Sequence, residues 1–305
     1  MIWKCDYGLL ARQMVAWLIM ALIYLILFSV IGWWLACTGR FGSSYLYIIV
    51  GMAAVTALIQ YFLSDKLVLM TTRANVVSED EEPKLYAMVR KLADEACLPM
   101  PRVAIMPSPV PNAFATGRSP RHAVVAVTQS IRGMLTDEEL ETVLAHELAH
   151  VKNRDMLTMT LGSFAVSIAA MIINNAFIMS CLNNNRNSEN GGGIIVFIVA
   201  MVVVILVYIV GTMVTMAISR YREFSADRGS AYITRDPDAL IRALRKISGK
   251  MGTIPPDKKR EISGNNAFFI IPVISGESVM ELFSTHPTLE KRIANLETVK
   301  QEMQG

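Results

Sequence analysis

Charge is missing from four long stretches of this chain, Met14–Cys37, Ser43–Ser64, Met156–Leu182 and Gly191–Ser219. Their absence of Asp, Glu, Lys and Arg excludes an ordinary soluble fold. The chain as a whole is 18% charged and 53% hydrophobic, against about 25% charged in average soluble domains, and its mean hydropathy is +0.40. Each stretch is long enough to cross a bilayer, which takes about 20 apolar residues. The lack of ionisable groups inside them argues against a proton relay or ion pathway through the spans. Cysteine is also scarce. Cys5, Cys37, Cys97 and Cys181 form no CxxC pair and have no histidine at finger-like spacing, which excludes a cysteine-based zinc module or disulfide framework. No Lys/Arg-rich block occurs, and a formal charge of +3 excludes a nucleic-acid binder. The first apolar run exceeds the roughly 7–15-residue core of a secretory signal, so it is expected to remain as a span.

The organisation follows from what separates the runs. Short Gly/Ser punctuation divides the first two, and an Asn-rich polar turn, 183–190, divides the last two. The pattern predicts four transmembrane helices in two hairpins. Lys4, Arg12, Lys66, Arg73, Lys152, Arg154, Arg220 and Arg222 flank one side of these spans; only Arg40 and Arg186 lie in the tight loops on the other. Positive flanks are retained in the cytoplasm, which predicts a multi-pass cell-membrane protein with termini and polar bulk on the cytoplasmic side. The expected organisation is an N-terminal hairpin at 1–64, a cytoplasmic piece at 65–155, a second hairpin at 156–219 and a second cytoplasmic piece at 220–305. Within the polar pieces, helical spacing predicts a helix over 82–96, stopped by Pro99 and Pro101, and β-rich runs predict strands at 102–106 and 123–127. Thr136 followed by Glu139 is a capping box that starts a helix, and Asp236-Pro237 caps another. The predicted fold is a helical membrane part joined to an α+β domain assembled from two sequence-separated pieces.

His146-Glu147-Leu148-Ala149-His150 lies on the capping-box helix. Residues i and i+4 share a helical face, so His146 and His150 can offer two imidazole nitrogens to one metal ion. Glu147, one residue on, points beside that metal, where a general base takes a proton from water. A catalytic metal also needs a third protein ligand and an open position. Glu223 stands four residues past the charge-free run ending at Ser219, and His150 six residues before the run starting at Met156. With unbroken helices at about 1.5 Å per residue, a hairpin returns both to the same height above the bilayer. Asp227, at i+4 from Glu223, can accept the free ring N–H of a ligand histidine. The expected centre holds one Zn²⁺ per chain, although two histidines and a carboxylate can also take other divalent ions.

These residues, together with Asn153-Arg154-Asp155, Arg222-Glu223-Phe224-Ser225-Ala226-Asp227, Pro111-Asn112-Ala113-Phe114-Ala115-Thr116-Gly117 and Ser284-Thr285-His286-Pro287-Thr288-Leu289-Glu290-Lys291-Arg292, resemble the HtpX-type membrane zinc metalloproteases, which share a peptidase core with the CAAX prenyl proteases. The resemblance implies a gluzincin-type site with His146, His150 and Glu223 as ligands, Glu147 as base and Asp227 as orienter. It makes His286 a candidate for stabilising the transition state, with a capping or loop histidine as the alternative. It also implies polypeptide substrates, namely membrane or misfolded proteins cleaved during quality control or stress. Asn112 and Phe114 are candidates for an edge strand to which an extended substrate adds by backbone hydrogen bonds; a Pro-bounded loop with Phe114 in the core is the simpler reading. Two other functions compete: prenyl-protein processing, and a membrane adaptor in which zinc only staples the two polar pieces. The adaptor leaves Glu147 unexplained, since a structural zinc site closes with a fourth ligand and needs no base.

Overall fold

The computed structural model describes residues 7–182, 191–253 and 286–304; the Asn-rich turn at 183–190 lies outside them, as do Ser284 and Thr285. In chain order the elements are α1 (Tyr7–Thr72), β1 (Asn75–Val77), α2 (Pro83–Glu95), β2 (Arg102–Met106), β3 (Ala113–Thr116), β4 (Val124–Thr128), α3 (Gln129–Met134), α4 (Asp137–Lys152), α5 (Asp155–Leu182), α6 (Gly191–Thr234), α7 (Pro237–Gly252) and α8 (Leu289–Gln304). They fall into two compact units. One comprises Leu10–Gln60 and Met159–Ile218; the other comprises Tyr61–Thr158 and Ser219–Gly305, with the start of α1 through Leu9.

In the apolar unit the helices are hydrophobic all round, so polarity cannot decide which face packs. Ala16, Met20, Ile23 and Leu27 form a buried stripe at helical spacing, while Leu18, Leu22 and Leu25 are exposed on the same helix. Hydrogen bonds and small residues fix that face, as expected where lipid competes equally for apolar contact. Tyr24 Oη donates to the Leu161 carbonyl at 2.6 Å and accepts from Ala165 N at 3.2 Å. Thr215 Oγ1 donates to the Gly162 carbonyl at 3.1 Å. Tyr7–Val30, Asp155–Asn174 and Ile198–Thr234 are each long and apolar enough to cross a membrane. The fourth expected span enters only if Val50–Leu63 and Asp65–Thr72, bent by 71° at their break, are taken together. Helical hydrogen bonding runs through the Gly/Ser punctuation at 38–43, so no loop marks the division expected there: two glycines without a proline weaken a helix but leave its bonding pattern possible.

The polar unit is built on a four-stranded sheet of order β1-β2-β4-β3, with β2 and β4 parallel and both edges antiparallel. Its strands obey the period of two. Val103, Ile105, Val125 and Val127 face a core shared with Leu92, Leu144, Leu148, Leu240, Leu244 and Leu296. Ala104, Met106, Val124 and Ala126 face the other side, against Val68 and Phe114. The 82–96 helix ends before the prolines: Cys97 takes a left-handed φ of 54°, Cys97 N donates to Asp94 O and Leu98 N to Ala93 O. That is the Schellman arrangement, with cysteine where glycine is usual. Strand β1 is additional to the runs expected, and β3 falls in the segment of Asn112 and Phe114 given as an edge-strand candidate, with Phe114 on it and Asn112 just before it. At three and four residues they are too short to show a period.

Gly117 closes the β3–β4 connection with φ +129°; a Cβ there would collide with the His122 carbonyl oxygen and lie 2.9 Å from Ala123 Cα. Gly133, on α3, has open space around its Cα. Gly117→Ala is therefore expected to cost about 2–3 kcal/mol, whereas Gly133→Ala should stabilise by up to about 1 kcal/mol. Thermal unfolding of the two variants in detergent checks the opposite signs.

Candidate metal centre

The helix that carries the histidines is held at both ends. Thr136 Oγ1 accepts from Glu139 N at 3.3 Å and Glu139 Oε2 accepts from Thr136 N at 3.0 Å, the complete capping box. Lys246 Nζ donates to the same Glu139 carboxylate at 2.7 Å, tying α4 to α7. At the other end Arg154 adopts a left-handed φ of 56°, which separates α4 from α5. The two helices thus do not continue one into the other, contrary to the unbroken path assumed from the sequence. The turn has a chemical consequence: it brings Asp155 back so that its Oδ2 lies 2.5 Å from His150 Nδ1. On the other side, α6 runs without a break through Glu223 and Asp227.

Three donors converge. The imidazoles of His146 and His150 meet edge to face at 4.7 Å between centroids, and their Nε2 atoms are 3.2 Å apart. Glu223 Oε2 lies 3.6 Å from His146 Nε2, and its Oε1 3.5 Å from His150 Nε2. Donors held about 2.1 Å from a tetrahedral ion sit about 3.4 Å from one another, so the three spacings fit a single cation. The outer contacts set the tautomers. Asp227 Oδ1 is 3.0 Å from His146 Nδ1 and Asp155 covers the Nδ1 of His150. Each carboxylate holds a proton on Nδ1 and leaves the Nε2 lone pair facing inward. Glu223 Oε2 has no hydrogen-bond partner among the described residues. Three lone-pair donors aimed at one buried point are unfavourable by themselves and suit a metal ion.

The surrounding charges point the same way. Glu147, Asp155, Glu223 and Asp227 are all buried. Arg292 donates Nε to Asp227 Oδ2 at 2.9 Å and Nη2 to Oδ1 at 2.5 Å, with Nη1 at 3.5 Å from Glu223 Oε2. Arg222 Nε lies 3.1 Å from Asp155 Oδ2. Four carboxylates thus face two guanidiniums, a deficit that one divalent cation balances. Without it the imidazoles take up protons instead. Burial works to lower the pKa of His146, but the carboxylates of Asp227 and Glu223 outweigh it and raise the value. For His150 burial again opposes, and Asp155 and Glu223 push it up to about 10.

Glu147 lies outside the three-donor group. Its Oε2 accepts from Ala115 N, on edge strand β3, at 2.9 Å. Burial raises the pKa of its carboxyl above the ordinary range, as suits a base that must exchange protons near neutrality. His286 Nδ1 is 3.3 Å from Glu223 Oε2. Phe114 is on the edge strand and its ring is buried in the core, so both readings of it describe part of its position. Asn112, just before the strand, is 2% exposed and its carbonyl accepts from Thr128 N. By strand parity the backbone groups of 112 and 114 face β4, and those of Ala113 and Ala115 face outward. Sequence patterns give Asp155 and Arg292 no role at the site and Arg222 only that of a basic flank. Arg292 could have been found: it falls in phase with Leu289, Ile293, Leu296 and Val299, the buried stripe of α8, where a charge calls for a buried partner.

Two histidines one helical turn apart, a distal carboxylate and a buried glutamate between the histidines define a metallopeptidase core. Comparison with known proteins gives the family. Residues 79–300 match the model of Peptidase family M48. The chain is 48% identical over 301 residues to "Protease HtpX homolog 2" of Methanosarcina mazei, covering 99% of this chain and 98% of that one. It is 47% identical over 299 residues to "Protease HtpX homolog" of Moorella thermoacetica, covering 98% and 97%. The crystal structure of S. mikatae Ste24p shares the fold, with a TM-score of 0.57 at 19% identity over 95% of this chain and 67% of that chain. The chain belongs to peptidase family M48, among its HtpX-type membrane metalloendopeptidases.

Two outcomes are expected. Asp227→Asn should weaken metal binding by about 10–100-fold, read by competition against a chromogenic chelator. His150, with a folded pKa of about 10 against an ordinary value of about 6.5, stabilises the metal-free chain fully below the unfolded pKa. That contribution is lost as pH rises through about 10. Loading a divalent ion at pH 7 should consequently release at least one proton per site, measured by titration calorimetry in buffers of different ionisation enthalpy.

Proposed function

We propose that the chain is a zinc-dependent endopeptidase that cleaves membrane or misfolded proteins at the cytoplasmic surface of the cell membrane, in protein quality control. The observation that carries the reading is the convergence of His146 Nε2, His150 Nε2 and a Glu223 oxygen within 4.8 Å of one another, with the Glu147 carboxylate alongside. When bound, zinc supplies Lewis acidity toward a peptide carbonyl and lowers the pKa of a water molecule. Glu147 takes the proton from that water and delivers it to the departing amine. Asp227 and Asp155 keep the imidazoles in the tautomer that ligates; against burial, Arg292 keeps Asp227 ionised and the imidazoles of His286, His146 and His150 keep Glu223 so. His286, beside the ligand carboxylate, is assigned to stabilise negative charge developing on the scissile carbonyl.

The substrate backbone is read as adding to the outer edge of β3, through the Ala113 backbone and the Ala115 carbonyl rather than through Asn112 and Phe114. Ala115 N already donates to Glu147, so the strand and the base are in register. Recognition through backbone groups predicts cleavage that tolerates many side chains; strict dependence on one substrate residue would count against it. The cytoplasmic assignment rests on the flanking Lys and Arg residues, and the quality-control role on the similarity to the HtpX homologues. An adaptor stapled by zinc does not account for Glu147, which ligates nothing and is buried beside the donors.

Glu147→Gln should retain the metal and lower the cleavage rate of an unfolded protein by several orders of magnitude, and chelation should do the same to the unaltered chain. Digestion in detergent, with metal content measured on the same samples, decides it. A Glu147→Gln chain that cleaves at the full rate would overturn the assignment.

A further inference from the structure

The connection between β3 and β4 carries a feature that peptide hydrolysis does not use. Arg118 lies over the Phe62 ring, its guanidinium carbon 5.6 Å from the centroid, and Tyr61 Oη donates to the Arg118 carbonyl at 3.0 Å. Tyr61 and Phe62 pack edge to face, with centroids 5.3 Å apart. Within the connection, Arg118 Nη2 lies 2.7 Å from His122 Nε2 and Ser119 Oγ 2.9 Å from His122 Nδ1. The loop is thereby held in one shape against two aromatic rings. Arg121 and His122 are exposed.

The position of those rings gives the arrangement its meaning. Tyr61 and Phe62 end a charge-free apolar run that stops at Ser64, and Phe62 is 49% exposed. Aromatic residues at the end of an apolar run sit at headgroup level. The acid next in the chain, Asp65, is occupied by Arg102 at 2.6 Å. Among the described residues, no acidic side chain pairs with Arg118 or Arg121. A cation stacked on an interfacial aromatic, with a second exposed cation in the same connection and no carboxylate on either, complements an anion, and at this level the anions are lipid phosphates.

We propose that the Gly117–Ala123 connection binds the headgroup of an anionic phospholipid through Arg118 and Arg121, with Tyr61 and Phe62 as its apolar floor. The inference rests on the chain being embedded in a membrane and is independent of which face the polar unit occupies. Its consequence reaches the catalytic side, because the connection begins one residue after β3, and Ala115 of β3 donates to Glu147. Lipid bound here grips the strand end on which the base depends.

The test is native mass spectrometry of the full-length chain released from nanodiscs of phosphatidylcholine mixed with phosphatidylglycerol, or of phosphatidylcholine alone. Phosphatidylglycerol should be retained selectively by the unaltered chain. Arg118→Gln/Arg121→Gln should weaken that retention about 30-fold, from about fivefold per charge near an anionic surface. Arg245→Gln/Lys250→Gln, which removes two exposed charges from α7, should leave it unchanged. Equal retention of the two lipids by the unaltered chain, or equal retention by the unaltered and Arg118→Gln/Arg121→Gln chains, overturns the proposal. So does an equal loss in the α7 control. Should the double variant fail to fold, Arg121→Gln alone, at an exposed position, carries the comparison: about fivefold weaker retention is expected, and unchanged retention overturns the proposal.

Discussion

The polar unit is organised around one electrostatic constraint, the balance between four buried carboxylates and the cations that make their burial tolerable. Isolated ionised groups in a protein interior are prohibitively costly, so three of these carboxylates have counter-charges beside them, while Glu147 accepts from the Ala115 amide. Asp227 is gripped bidentately by Arg292, Asp155 lies beside Arg222, and Glu223 faces three imidazoles. The remaining deficit falls at the point where the three donors meet. A divalent ion there removes the need for protonated histidines, and folding and metal binding become linked. The fold can be seen as the means of bringing these groups together: α4 supplies the histidines and Glu147, α5 the first aspartate, α6 the glutamate and second aspartate, and α8 the buried arginine.

That distribution makes α8 more than a terminal helix. Leu296 and Val299 anchor it in the main core, and the same face presents Arg292 to the site. A disturbance in α8 packing is therefore transmitted to Asp227, then to His146. The connection through the sheet is similar in kind. Gly117 lets β3 turn back on β4, β3 presents Ala115 N, and Ala115 N meets Glu147. Glu147 is thereby registered against the outer edge of β3.

Much of this was legible before any coordinates. The capping box at Thr136, the cap at Asp236, the i,i+4 histidines and the carboxylate pair Glu223 and Asp227 are local patterns, governed by helix geometry alone. What was hidden depended on reversals of the chain. The left-handed turn at Arg154 carries no glycine to mark it, so the α4–α5 break and the Asp155 contact to His150 could not be read. Strands β1 and β3 are too short to show a period. Which backbone groups of the 112–116 segment point outward is likewise hidden in the sequence, since strand parity is defined only by the partner, and β4 is needed to set it.

The sequence by itself determined that the chain is a membrane protein with a two-histidine helix and a distal glutamate, because hydropathy and 3.6-residue periodicity are properties of consecutive residues. Only the tertiary structure decided which aspartate serves which histidine, that Arg292 closes the charge balance, and that Glu147 is held by a strand edge. Those are contacts between residues far apart in sequence, and their energies depend on burial and counter-charge, which exist only once the elements have packed.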